Sequence, residues 1–244
     1  MFKYFWFILI FTSFSQRVLA QNDTITPKDY PQKSFLKTTI LPTTLILSGV
    51  LLTGSQTEKN WQKDIRNEVG NNYHNGMDDY IQYIPYVQIY AGNLVGIEAK
   101  NHWFDQTKNI FIGGVATLVI THALKRGVGK TRPDGSSNHS FSSGHTATAF
   151  LGATTLYHEY KESSMLYASS GYLFSASTGG LRVMNNRHWV SDVLAGAGIG
   201  ILVANLIYYI EPLKNWNPFK KTKNLTFSPV INSDELTFVA AFQF

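Results

Sequence analysis

The chain contains no cysteine. That excludes thiol nucleophiles, thiolate-held metals and disulfide staples, so stability must come from packing. No Asp, Glu and His residues recur at metal-ligand spacing, so no metal or other cofactor is expected. Strong charge is also missing: the formal net charge is only +5, too mild to argue for nucleic acid. There is no internal repeat and no low-complexity segment. The mean hydropathy, −0.10, is low for a membrane protein.

What is present begins with an export pattern. Lys3 supplies a positive start, Phe5–Phe14 an apolar core, and Val18-Leu19-Ala20 a small-residue cleavage site. Residues 1–20 are therefore expected to be a cleaved signal peptide, although Arg17 sits awkwardly near the site. Cleavage removes Lys3 and Arg17, leaving 19 basic against 16 acidic residues, a net charge of +3. Residues 21–36, polar with two prolines, read as a linker. Residues 37–212 hold five long stretches without a charge: 38–57, 80–97, 109–124, 163–181 and 193–210. A shorter helical stretch runs from about His145 to Tyr160. The expectation is an all-α, six-helix, membrane-embedded bundle of one domain. Residues 189–210 suit a span best, and Gly196-x-x-x-Gly200 allows close packing there. The alternative is an exported soluble bundle with buried apolar helices. Residues 213–244 carry Lys214, Lys220, Lys221 and Lys223. Partly alternating runs follow at Leu225–Ile231 and Leu236–Phe244, which predict a short β-hairpin.

Three polar clusters carry the chemistry. His188 and Asp192, four apart, share one helical face. The carboxylate can accept the Nδ1 proton, fix the tautomer and leave Nε2 as a nucleophile. Arg182, six residues earlier, can grip phosphate oxygens as a fork. Alone, this His-x-x-x-Asp pair is more often a surface contact. Ser142-Ser143-Gly144-His145 opens a helix, where free amides and the dipole at Ser143 and Gly144 favour an anion. His145 can protonate a leaving alkoxide. The plain alternative is a serine cap beside a solvated histidine. Lys125 and Arg132 end an apolar helix and run into a glycine-containing loop closed by Pro133. By themselves they read as interfacial cations; with the other clusters they complete a clamp on a phosphoryl group.

The ordered set resembles the type 2 phosphatidic acid phosphatase family, which shares its site with bacterial class A acid phosphatases and vanadium haloperoxidases. The family pattern is Lys-x6-Arg-Pro, then Pro-Ser-Gly-His, then Ser-Arg-x5-His-x3-Asp. Lys125, Arg132, Pro133, Ser143, Gly144, His145, Arg182, His188 and Asp192 meet it, over roughly residues 105–210. Ser142 replaces the family proline and Leu181 the serine before arginine. The resemblance implies a six-helix core, a phosphohistidine on His188 and no metal. His188, His145 and Asp192 would be catalytic, with Lys125, Arg132, Ser143, Gly144 and Arg182 binding phosphate.

The expected function is hydrolysis of a lipid phosphate: undecaprenyl diphosphate, phosphatidylglycerol phosphate, phosphatidic acid or lipid A. A soluble periplasmic acid phosphatase, a vanadate haloperoxidase and an outer-membrane scaffold are the alternatives. The partners are that substrate and a membrane, with no nucleic acid; the oligomeric state is open. The location is the inner membrane with a periplasmic site, or the soluble periplasm. Six full spans after a cleaved signal would put the site in the cytoplasm, whereas the lysines after Ile210 favour a cytoplasmic C-terminus. The reconciling expectation is that 80–97, interrupted by Pro85, Gln82, Gln88 and Asn93, is buried or re-entrant, leaving Ser137 periplasmic and Asn60 cytoplasmic. Of the other histidines, His74, His102, His139 and His158 are expected to be solvated and His122 to lie in the core. His139 could line the pocket. Tyr80, Tyr83, Tyr86 and Tyr90 read as an interfacial belt or core packing.

Overall fold

Eight helices occur among the described residues, not six: α1 (Phe35–Leu52), α2 (Gln56–Val69), α3 (Asp78–Ile81), α4 (Ile84–Leu94), α5 (Trp103–Val128), α6 (Gly144–Tyr160), α7 (Met165–Met184) and α8 (Val190–Ile210). The structure is a computed structural model that describes residues 35–211, 216–217, 225–232 and 235–242. The proposed signal, residues 21–34 of the linker, and Lys214, Lys220, Lys221 and Lys223 lie outside the described residues. Strands β1 (Leu225–Asn232) and β2 (Glu235–Phe242) pair antiparallel, with Asn232 opposite Glu235.

Helices α2 and α3 are the two additions. α2 is charged throughout, so no uncharged stretch marks it. Its signal is a cap: the Ser55 hydroxyl accepts the Glu58 amide at 3.1 Å. It turns 91° from α1, and Gly70 at φ 87° ends it.

Helix α8 is held close to α6 and α1 by glycine. A Cβ on Gly196 would lie 2.6 Å from the Ser143 carbonyl, and one on Gly200 would collide with the Ala147 carbonyl. On α1, a Cβ on Gly49 would lie 2.6 Å from the Ser191 carbonyl. Backbones this close admit no side chain, and Leu151, Ile199, Val203 and Ala204 fill the core beside them.

The hydrogen bonds orient the bundle. α1 begins beside the end of α8, where Asn205 Nδ2 donates to the Thr38 carbonyl at 2.8 Å. The start of α8 and the end of α1 meet at the other end. The Glu159 carboxylate, at the end of α6, accepts from the amide and side chain of Asn101, from Gln106 and from Tyr208. That fixes the α4–α5 connection at the far end. α3 instead lies at the start of α6, where Asp79 meets His145. The segment 80–97 thus carries the chain from one end to the other. This corrects the re-entrant expectation, although α4, with 11 residues, is only about 16 Å long and does not reach across the ~30 Å hydrocarbon core alone.

Among the described residues two helices, α5 and α8, are long and apolar enough to cross a membrane, or three spans if the bent α1–α2 pair counts as one. Phe111 and Leu118 on α5 and Leu173 on α7 are 69 %, 67 % and 68 % exposed. His122 is exposed on the same α5, so it is not a core histidine. His158 is not simply solvated: it stacks on Tyr208 with centroids 4.5 Å apart and bonds Asn205 at 2.8 Å. Among the four tyrosines, Tyr86 packs inward, its hydroxyl donating to the Thr148 carbonyl at 2.7 Å, while Tyr80 and Tyr83 are exposed.

Candidate active site

Four segments meet at one end of the bundle: the loop after α5, the start of α6, the end of α7, and the turn before α8. Gly129, in the left-handed conformation at φ 61°, stops α5 and sends the chain into the loop that carries Lys130 and Arg132. Ser143 caps α6, its hydroxyl accepting the Thr146 amide. Asp192 fixes the entry to α8: one oxygen, Oδ2, accepts the Trp189 amide at 3.0 Å.

His188 and Asp192 are buried, 1 % and 0 % exposed. His188 Nδ1 lies 3.4 Å from Asp192 Oδ2, which leaves Nε2 free of the carboxylate. Ser140 Oγ also donates to Oδ2, at 2.5 Å. Burial holds the His188 imidazole down at about 4. Asp192 opposes that, and the Lys125 and Arg182 cations reinforce it. His188 is thus a neutral base above that pH.

Lys125, Arg132 and Arg182 come together around this histidine. Lys125 Nζ donates to the His139 carbonyl at 2.9 Å, and both Arg132 and Arg182 act electrostatically on it. Burial is the main effect pulling Arg132 below its usual value, with the neighbouring Arg182 next. Three cations in mutual repulsion call for an anion among them. The buried Nε of Arg132, Nε of Arg182 and Oγ of Ser142 have no partner among the described residues.

The second cluster differs in one detail from the sequence expectation. The Ser143 amide is already spent on the Asp192 carbonyl, at 3.0 Å, so it is not a free anion-binding group; Gly144 is the first residue of α6 with its helical amide still available. His139 contributes its carbonyl to Lys125, while its ring lies 3.2 Å from Ser137 Oγ.

Four residues at this end were not anticipated. Arg182 Nη1 bonds Asp78 Oδ2 at 2.8 Å. His145 Nε2 lies 2.8 Å from Asp79 Oδ1. Lys130 Nζ contacts Asp192 Oδ1 at 3.0 Å and Glu58 Oε1 at 2.8 Å. None of these pairs has a sequence spacing that would reveal it. Only Lys130, inside the first cluster, lay near a recognised motif.

Residues 108–216 match the PAP2 superfamily. The chain is 36 % identical over 152 residues to a Porphyromonas gingivalis protein named lipid A 1-phosphatase, covering 62 % of this chain and 34 % of that protein. The chain thus spans about a third of the length of the curated relative it matches. Its fold is similar to that of a transmembrane PAP2 type phosphatidylglycerolphosphate phosphatase from Bacillus subtilis, with TM-score 0.52 and 18 % identity over 74 % of this chain and 99 % of that one. A second solved structure, Aquifex aeolicus LpxE, aligns with TM-score 0.47 and 21 % identity over 66 % of this chain and 98 % of that one.

Proposed function

We propose that the protein is a membrane-embedded lipid phosphate phosphatase working through a phosphohistidine. The observation that carries this reading is the convergence of Lys125, Arg132 and Arg182, with unpartnered buried donors, on a neutral His188 backed by Asp192.

In the first step, His188 Nε2 attacks phosphorus and the bond to the leaving oxygen breaks. His145 donates its proton to that oxygen. Asp192 stabilises the charge that develops on the His188 ring. Lys125, Arg132, Arg182 and the Gly144 amide hold the three non-bridging oxygens. In the second step His145, now neutral, takes a proton from water. The hydroxide attacks phosphorus, the N–P bond breaks, and phosphate leaves. Burial and the Arg182 cation hold the His145 imidazole below its usual value; Asp79 opposes them and favours the imidazolium form that the first step requires.

A lipid substrate suits the setting. α5 and α8 have spanning length and hydropathy, and the exposed Phe111, Leu118 and Leu173 would be costly in water. Among the expected esters, the P. gingivalis relative draws attention to lipid A. In sequence the lysines after Ile210 follow the end of α8 away from the site; by the positive-inside rule they favour a site on the periplasmic face of the inner membrane. The test is phosphate release by detergent-solubilised protein from lipid A, phosphatidylglycerol phosphate, undecaprenyl diphosphate, phosphatidic acid and a soluble ester. Hydrolysis of the soluble ester alone would favour an unspecific acid phosphatase instead. Hydrolysis of none would end the phosphatase reading.

A further inference from the structure

We propose that Lys130 and Glu58 are positioning residues that fix the His188–Asp192 pair and set its charge. The Lys130 ammonium clamps one oxygen of Asp192, and Glu58, reaching in from α2, holds the ammonium in place. This rests on the phosphohistidine reading, because it concerns the same dyad.

Lys130 differs from the other site cations in having nothing to spare. An ammonium has three protons, and its Nζ has three partners: Ser191 Oγ at 2.6 Å, Glu58 Oε1 at 2.8 Å and Asp192 Oδ1 at 3.0 Å. Its side chain is 10 % exposed, and the Trp189 ring lies 5.4 Å from the ammonium. It has no proton left for a phosphate. What it does is immobilise Asp192. Oδ1 takes Lys130, while Oδ2 takes Ser140 Oγ and the Trp189 amide and faces His188. A carboxylate held on both oxygens cannot rotate away from the imidazole it must orient.

Glu58 is equally committed. It is 2 % exposed; Oε1 accepts from Lys130 and Ser191, and Oε2 accepts the Gly54 amide at 2.8 Å. Its helix grips the turn that presents His188: Gln62 donates to the Val183 carbonyl and to Asn186, and Arg66 to the Met184 carbonyl. α2 is therefore fastened to both halves of the dyad's support.

The charges facing His188 are Asp192 from α8, Lys125 from α5 and Arg182 from α7. Behind them stand Lys130 from the loop after α5, Glu58 from α2, Arg132 from the same loop, and the Asp78 and Asp79 carboxylates of α3 beside Arg182 and His145. Removing the Lys130 cation makes this environment more negative and favours the imidazolium. Removing the Glu58 carboxylate does the reverse. A mere staple holding α2 down would give no such opposition of sign.

The experiment is an NMR titration of the His188 ring in full-length, 15N-histidine-labelled protein, with the pH profile of kcat/KM alongside. Lys130→Met should raise the His188 midpoint, and Glu58→Gln should lower it, each on the order of one pH unit. Lys130→Arg, which keeps the cation, should stay near the wild-type midpoint. In Lys130→Met, kcat should fall roughly 10–100-fold as the dyad loosens, with KM little changed because Lys130 touches no substrate. The double variant Glu58→Gln/Lys130→Met leaves neither partner charged and unpaired, and covers failure of a single variant to fold; its midpoint should lie between those of the singles. Midpoints that do not move, or that move the same way in both single variants, would overturn the proposal. If the wild type hydrolyses no ester, the phosphatase reading falls, and the titration still decides this one.

Discussion

The imidazole of His145 lies 2.8 Å from the carboxylate of Asp79, sixty-six residues earlier in the chain. Asp79 is 60 % exposed in its side chain and His145 33 %, so the pair sits at the mouth of the site. A leaving-group acid must enter the reaction protonated; burial and the Arg182 cation work against that state in His145, and a carboxylate at this distance opposes them. Asp79→Asn should therefore move the alkaline limb of kcat to lower pH and lower kcat several-fold, with less effect on KM. An unchanged alkaline limb in a stopped pH-rate series would show that Asp79 does not support His145.

The covalent step has its own test. His188→Ala should abolish hydrolysis, since it removes the group that is to carry the phosphoryl. His145→Ala should lose about 10²–10⁴-fold yet still form the phosphoenzyme with an activated leaving group. Rapid quench with 32P-labelled substrate should trap label on His188 in His145→Ala. Label on any other residue would contradict the assignment.

The acid side of the pH profile follows from the burial of His188, which holds its imidazole down at about 4. A group whose folded value is depressed is neutral in the protein while an unfolded chain at the same pH is already taking up a proton. Between about 6.5 and 4 the unfolded state binds more protons, so stability should fall as pH falls through that window. Activity should persist over the same range and drop only near 4, where His188 itself protonates. Thermal unfolding and kcat/KM measured from pH 3.5 to 7 check both. A limb near 6.5 would mean that His188 is far more hydrated than its 1 % exposure indicates.

The cations make a further point testable. Lys125, Arg132 and Arg182 already supply the positive charge that many phosphoryl-transfer sites draw from magnesium. Activity should survive excess EDTA, and vanadate, a mimic of phosphate in its five-coordinate form, should inhibit. Loss in EDTA with recovery on adding Mg²⁺ would require a different mechanism.

The sequence exposed the site and concealed its support, for one physical reason. Lys125, Arg132, His145, Arg182, His188 and Asp192 stand in short motifs, so each could be read locally. Glu58, Asp78 and Asp79 act on partners 66 to 133 residues away, and nothing in a single chain records such a pairing. Uncharged stretches mark the other long helices, but α2 is a charged one and carries no such mark. Its Ser55-x-x-Glu58 opening was the available sign. His122 misled for a related reason: an apolar stretch does not say which of its faces turns outward, and α5 exposes the one carrying His122 along with Phe111 and Leu118.

The same long-range contacts revise the arrangement across the membrane. Sequence signals put Asn60 and Ser137 on opposite sides, with 80–97 failing to cross. But Asn60 lies two residues from Glu58, whose carboxylate meets Lys130 in the loop that leads to Ser137. Both positions belong to the site end. Glu162 follows α6, which runs from His145 down to the Glu159 cluster at the far end. In spheroplasts an impermeant thiol reagent should label Asn60→Cys and Ser137→Cys together and at once. Glu162→Cys should react only after the membrane is breached. Because the chain has no native cysteine, each signal belongs to the introduced residue. If Asn60→Cys and Ser137→Cys part company, the bundle-end assignment of α2 is wrong. If both wait for the breach while Glu162→Cys does not, the site faces the cytoplasm and the lysines beyond α8 have not set the orientation.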